Sequence, residues 1–309
     1  MRAERGPRPL HPEGDMFIDI HLHTVPRKGL PRNADGDNYA SPEELIEIMD
    51  RTGVDRGVLL PGVSPECSAQ PSPPQSILEV CEAHPDRFFA FCNVDPRAEA
   101  NSPGADLSRQ LRYYKERGCR GVGEVTANLA FTDPLVLNLF EHCRRCAMPV
   151  LFHIGPAFGG CYGLVDSPGL PGLERCLKLF PELPFIGHSQ PFWAEISGDS
   201  NPETRGGYPA GPVAPGGAVP RLLRGHRNLY CDISARSGYN ALTRDAGFGA
   251  AFLAEFHERI MFGTDTCSVK NNFRHADLLR RLRDEGKLGG EAFENISWRN
   301  ANRLFGLGL

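Results

Sequence analysis

Eight short apolar segments recur along this 309-residue chain, each followed by polar loop residues and then a helical stretch. They lie at 16–22, 55–61, 87–94, 119–125, 148–154, 183–189, 228–234 and 259–265. One inner position from each (21, 58, 91, 123, 153, 188, 232 and 265) gives gaps of 37, 33, 32, 30, 35, 44 and 33 residues. Each gap holds a strand, its loops and a crossover helix. Many of the segments show little polar alternation, the pattern of strands covered on both faces, as in a parallel sheet. Eight such units predict an α/β fold, a (β/α)8 or TIM barrel, as a single domain over 16–309 with long βα loops. The other option, an open doubly wound sheet, lacks support because no G-x-G-x-x-G follows the first strand. Residues 1–15 read as a flexible N-terminal tail. It is basic but lacks the apolar stretch of a signal peptide.

The connecting segments carry helix signals. The stretch 41–53 has Ser41 as N-cap, Pro42 next, Glu44 at the third position and a closing Gly53, with Leu45, Ile48 and Met49 on one face. Long loops at 24–40, 61–75, 155–172 and 190–221 are rich in Gly, Pro and Asn. In a barrel such loops build the mouth where chemistry happens. The longest, 190–221, reads as a lid or a subunit contact.

Composition narrows the function. The net charge is −4 and no basic stripe appears, which disfavours nucleic acid as a partner. No apolar run reaches the roughly 18 residues a membrane span needs, so no membrane partner is expected. The ten cysteines include Cys92, Cys119 and Cys231 inside apolar segments, and they read as reduced core residues of a cytoplasmic protein. Cys143 and Cys146 form a C-x-x-C within a helical pattern and read as helix packing.

Titratable groups in a central strand cost several kcal/mol unless partners compensate, yet this chain sets them at strand ends. The first strand ends Asp19-Ile20-His21-Leu22-His23, and a period of two puts Asp19, His21 and His23 on one face. Glu124, His153, His188 and Asp265 end the fourth, fifth, sixth and eighth strands. In a barrel those ends share one rim. Imidazoles and carboxylates meeting at one point suit a borderline divalent ion such as Zn2+, with Mn2+ or Fe2+ as alternatives. Such an ion lowers the pKa of a bound water from near 16 to roughly 7.

The motifs DIHLHT, VLFHIG, FIGHS and MFGTD resemble the amidohydrolase superfamily, and more closely the amidohydrolase-related branch that contains aminocarboxymuconate semialdehyde decarboxylase. VDRGVLLPG, FAFCNVDP, NLYCDIS and the NANRLFGL ending support the likeness, which covers about 16–309. It implies that His21, His23 and Asp265 bind the more buried metal. His153 would bind that ion or a second one. His188 would bind the second metal or, in one-metal members, orient and activate the water. Glu124 stands where some two-metal members have a bridging carboxylate or carboxylated lysine, so one or two divalent metals are expected.

The implied activity is hydrolysis of an ester, lactone or amide of a small, anionic or cyclic substrate by metal-activated water, with Asp265 and His188 as catalytic residues. The alternative is non-oxidative decarboxylation of the aminocarboxymuconate semialdehyde decarboxylase type. A non-catalytic metabolite-binding barrel is the third reading, disfavoured because every expected ligand position is filled. Substrate-binding candidates are Arg27 and Arg236, cations in loops after the first and seventh strands, and Tyr162 and Trp193, aromatic residues after the fifth and sixth. Asp232 and Ser234 are expected to hydrogen-bond within the barrel end, behind the ligands. A small-molecule partner is expected, and homodimer formation is left open.

Overall fold

Ser41 starts the first helix as its neighbours dictate. Its hydroxyl accepts from the Glu44 N–H, the Glu44 carboxylate accepts from the Ser41 N–H, and Gly53 ends the turn at φ 73°. This helix, α1 (Pro42–Thr52), connects β1 (Ile18–Leu22) to β2 (Arg56–Leu59) in a computed structural model that describes residues 15–309. The alternation continues through α2 (Pro74–Ala83), β3 (Phe88–Ala90), α3 (Ser108–Glu116), β4 (Val122–Val125), α4 (Pro134–Arg145) and β5 (Val150–Gly155). After a two-residue strand, β6 (Leu164–Val165), come α5 (Pro171–Leu179), β7 (Phe185–His188), α6 (Gln190–Ala194), α7 (Ala218–Gly225) and β8 (Leu229–Asp232). Two helices, α8 (Ala235–Thr243) and α9 (Ala246–Phe256), lead to β9 (Ile260–Met261). The chain then continues through α10 (His275–Asp284), α11 (Gly290–Glu294), a π-helical turn and α12 (Asn300–Phe305).

Every strand pair is parallel, in the orders β1-β2-β3 and β4-β5-β7-β8-β9, with β6 paired to β5 alone. Single bridges complete the ring. Cys92 pairs with Val122 between β3 and β4, and Leu22 pairs with Thr266 just beyond β9. The molecule is thus the expected TIM barrel. Its inner core takes residues from around the ring, among them Ile20, Val58, Phe91, Leu151, Ile186 and Met261. Phe305 and Leu307 join this cluster from the C-terminal end, with Phe305 edge-on to Phe91 at 5.0 Å. A second, larger core lies between the strands and the outer helices. Among the described residues no helix is long and apolar enough to cross a membrane.

Three sequence expectations change. The last strand, expected to run to 265, ends at Met261, so Asp265 sits in the following loop with φ 59°. Asp19 does not share the setting of His21. The β1–β2 register shifts between Asp19 and Leu22, and Asp19 and Leu22 border a small cavity beside α1 while Ile18 and Ile20 fill the barrel interior. An irregularity of this kind breaks the period of two. The 190–221 segment is not all loop, since α6 and the start of α7 fall within it. The expected tail lies outside the described residues except for Asp15, which is buried and ion-paired with Arg283. Cys143 and Cys146 are buried, unbonded to each other, in α4 and at its C-terminal end.

Gly238 lets α8 press directly on the end of β8, since a Cβ there would lie 2.2 Å from the Ile233 carbonyl oxygen. Backbone cannot swing aside as a side chain can, so Gly238→Ala is expected to lower unfolding stability by about 1–3 kcal/mol in urea denaturation.

Candidate metal centre

Each polar group at the rim is placed by backbone pairing. The Asp19 carboxylate accepts from the His21 and Thr264 N–H groups and from the Thr264 hydroxyl, which ties β1 to the loop after β9. The Asp265 N–H then donates to the His21 carbonyl at 2.8 Å. The left-handed turn at Asp265, tolerated by aspartate better than by most residues, brings its carboxylate to 3.4 Å from His23 Nε2 and 3.7 Å from His21 Nε2. On the opposite side, Glu124 at the end of β4 meets His153 Nδ1 at 2.7 Å, and its other oxygen lies 3.7 Å from the Nε2 atoms of both His21 and His23. His188 Nε2 lies 3.8 Å from Glu124 and 3.9 Å from Asp265. All six residues expected to ligate metal therefore gather at one place, in three overlapping sets whose ligand atoms lie within 4.8 Å of one another.

The hydrogen bonds behind the cluster fix the imidazole orientations. His21 Nδ1 is 2.8 Å from one oxygen of Asp232, and His188 Nδ1 is 3.0 Å from the other. The Ser234 hydroxyl donates to the same carboxylate. His23 Nδ1 faces the Leu60 carbonyl at 3.1 Å. A carbonyl or an ionised carboxylate only accepts, so Nδ1 carries the proton on all three rings. In the neutral form each Nε2 is then a bare lone pair. The Nε2 atoms of His21 and His23 nevertheless face each other at 3.1 Å. Two lone pairs at that separation repel unless a proton or a cation stands beside them, so the donor set fits a divalent ion.

Electrostatics agree. Burial alone would lower the His21 pKa, but Asp232, then Asp265 and Glu124, overrule it and raise it well above the ordinary value. Burial likewise opposes charge on His188, and Asp232 raises it. For His153 burial prevails over Glu124 and the pKa falls. Burial pushes Glu124 up, yet His153 and His21 hold it well below the usual carboxylate range. His188 and His21 do the same for Asp232. The carboxylates thus favour positive charge at His21 and His188, and a metal that competes with protons for these nitrogens binds more weakly as pH falls.

The substrate candidates divide. Tyr162 lies with its ring centroid 4.5 Å from that of His153 and lines a cavity of about 550 Å3 together with His153, Glu66, Cys67 and Gln190. Trp193 is only 2% exposed, and its indole N–H donates to the Asp232 carbonyl at 3.1 Å, so it braces the site from behind instead of walling the mouth. Arg27 and Arg236 are exposed, and Arg236 lies over the Tyr208 ring at 4.4 Å. The 190–221 segment reaches the cavity wall at Gly206. Beside it Arg205 is buried, with Nη1 donating to the Asp166 carbonyl at 2.6 Å and Nε 3.8 Å from Glu195. Sequence reasoning passed over Arg32, which is half-buried in the loop after β1. The only signal was an arginine inside a loop already assigned to the mouth.

A ring of parallel strands with such a cluster at its C-terminal rim defines a barrel of the enzyme type. The chain belongs to the amidohydrolase family, whose model matches residues 18–307. No curated protein matches it. Among solved structures, it is similar to an uncharacterised TIM-barrel protein from Bordetella bronchiseptica, at 20% identity and TM-score 0.63, with 94% of this chain and 98% of that one covered. An amidohydrolase from Burkholderia multivorans with bound zinc gives 14% identity and TM-score 0.61, covering 94% and 99%. The 5-carboxyvanillate decarboxylase of Sphingomonas paucimobilis gives 15% and 0.60, covering 94% and 98%. At these identities the likeness shows the fold.

Because Asp232 holds two of the imidazoles, Asp232→Asn is expected to weaken zinc binding about 10–100-fold. Titration calorimetry reads this directly. In buffers of different ionisation enthalpy the same titration is expected to report proton release on binding, with affinity falling as pH is lowered.

Proposed function

We propose that the chain is a metal-dependent hydrolase that cleaves an ester, lactone or amide of a small substrate with metal-activated water. The observation that carries this reading is the position of Glu124. One of its oxygens faces His21 and His23, and the other faces His153 and His188. That placement supports two divalent ions, zinc by the donor chemistry, with Glu124 between them. His21, His23 and Asp265 would hold one, and His153 and His188 the other.

Bound divalent ions of this kind polarise a carbonyl and supply a nucleophilic water at neutral pH. The chain's own groups do the rest. Asp265 is the more exposed carboxylate, with 29% of its side chain accessible against 6% for Glu124. It lies where it can accept the proton of the attacking water and return it to the leaving group. His188, fixed through Nδ1 by Asp232, presents the Nε2 lone pair to the same space, where it would help hold an ion. Tyr162 and the 190–221 segment narrow the approach and limit access by bulk water.

One observation favours decarboxylation as the second reading. His21, His188 and Asp265 by themselves form a set whose ligand atoms lie within 4.8 Å of one another, which suits a single ion. The likeness to a carboxyvanillate decarboxylase is in keeping with it.

Elemental analysis of protein purified without chelator, paired with product analysis on lactone, ester, amide and aryl-carboxylate panels, separates the two. About two metals per chain and hydrolytic products are expected, with Glu124→Gln retaining about one metal and losing roughly 100-fold or more in kcat. One metal per wild-type chain with release of carbon dioxide and no hydrolysis would establish the second reading.

A further inference from the structure

The segment 156–162, between β5 and β6, supplies Pro156, Gly160, Cys161 and Tyr162 to the wall of the cavity beside His153. Both of its ends are fixed. Gly155 closes β5, and the Gly163 N–H donates to the Thr126 carbonyl at 2.7 Å. Gly163 passes so near the metal centre that a Cβ there would stand 2.7 Å from His153 Cδ2. Between those ends no apolar anchor holds the segment down. None of its seven residues is buried, and Phe158 in its middle is 65% exposed. Gly159 and Gly160 turn the chain at φ 74° and 69°, a conformation that glycine alone adopts without penalty.

One side chain does the holding. Asn128 lies in the loop after β4, four residues beyond Glu124. Its Oδ1 accepts from the Gly159 N–H at 2.7 Å, and its Nδ2 donates to the Ala157 carbonyl at 3.0 Å and the Gly163 carbonyl at 3.3 Å. Nδ2 also lies 3.8 Å from Cys161 Sγ. Among the described residues, every hydrogen bond that residues 157–161 make outside the segment ends on Asn128. The job needs a donor and an acceptor at the end of one short side chain, and an amide has both.

The base of this clasp is itself tied down. The Asn128 backbone N–H donates to Glu66 Oε1 at 2.6 Å. Arg97 Nη2 donates to both Glu66 oxygens, at 3.1 and 3.0 Å, and to Asp95 at 2.7 Å. Loops after β2, β3 and β4 thus fix Asn128, and Asn128 fixes the loop after β5. The 190–221 segment leans on the same loop, since a Cβ at Gly206 would stand 3.1 Å from Pro156 Cβ. What the loop delivers is Tyr162, with its ring centroid 4.5 Å from that of His153.

We infer that Asn128 is a positioning residue, fastening 156–162 as a flap that sets Tyr162 beside the metal centre. The flap then grips the part of a ligand that extends beyond the metal-binding atoms. The proposal deepens the hydrolase reading, whereas its tests need only the metal centre.

Three measurements on the full-length, zinc-loaded protein test it. In the first, iodoacetamide labelling of Cys161 is followed by peptide mass spectrometry, with Cys81, half-buried on α2, as the reference. Asn128→Ala is expected to speed Cys161 labelling about tenfold or more and leave Cys81 unchanged. In the second, calorimetry compares acetohydroxamate, which offers little beyond its metal-binding oxygens, with benzohydroxamate, which adds a ring. Asn128→Ala is expected to weaken benzohydroxamate about 3–10-fold and leave acetohydroxamate and zinc affinity unchanged. In the third, the double variant Asn128→Ala/Tyr162→Ala binds benzohydroxamate no more weakly than Tyr162→Ala alone, because both changes remove one contact. Asn128 is half-buried and its backbone stays bonded to Glu66, so the alanine variant keeps the base of the clasp, and thermal melts check its folding. Cys161 labelling at the wild-type rate would overturn the proposal. Equal weakening of the two hydroxamates, or of zinc, would overturn it as a disturbance of the ligands themselves. Additive losses in the double variant would overturn the route through Tyr162. Wild-type protein that hydrolyses none of the panel substrates would sink the hydrolase reading, and the three measurements would still decide the role of Asn128.

Discussion

One buried carboxylate organises the site. Asp232 is fully enclosed and gives one oxygen to His21 and the other to His188. An unpaired carboxylate at that depth would cost several kcal/mol, and here two imidazole N–H groups, the Ser234 hydroxyl and the Ser234 backbone N–H compensate it. The cost of burial is thereby converted into orientation. Two rings from strands far apart in the chain are turned so that their remaining nitrogens face a common point. The indole of Trp193 fixes the Asp232 carbonyl from the other side, so the aspartate cannot shift without disturbing the aromatic layer behind it.

The rim then works through contrast between neighbours of similar chemistry. Glu124 is deep and pinned among histidines, whereas Asp265 stands on a turn with part of its carboxylate accessible. In the proposed reaction the first would hold ions and the second would move protons. The chain belongs to the amidohydrolase family, and structures of the same fold include an amidohydrolase with bound zinc and a carboxyvanillate decarboxylase.

Much of this was legible in the sequence. The spacing of apolar segments counted the strands, because a parallel strand and its crossover need a minimum length of chain. The six residues that gather at the rim were recognisable because titratable side chains at strand ends are costly without a shared purpose. The unread parts depend on contacts between distant segments. No local pattern announces the register shift in β1 that separates Asp19 from His21. Nothing near Trp193 distinguishes an aromatic residue walling a mouth from one bonded to Asp232 across the barrel end. Arg27 and Arg32 share a loop, and only the folded position of Cys267 and Tyr39 tells which of them is drawn inward.

The floor of the barrel has a consequence for the order of assembly. Phe305 and Leu307 complete the interior cluster that Ile18 and Ile20 begin. During synthesis the first strand of the ring must therefore wait with its inner face uncovered until the segment around Phe305 and Leu307 has emerged. Topologies that pair the first and last segments are slow to close, because most of the chain's entropy is lost before those contacts form. For such a molecule the vulnerable period is the interval before the ends meet.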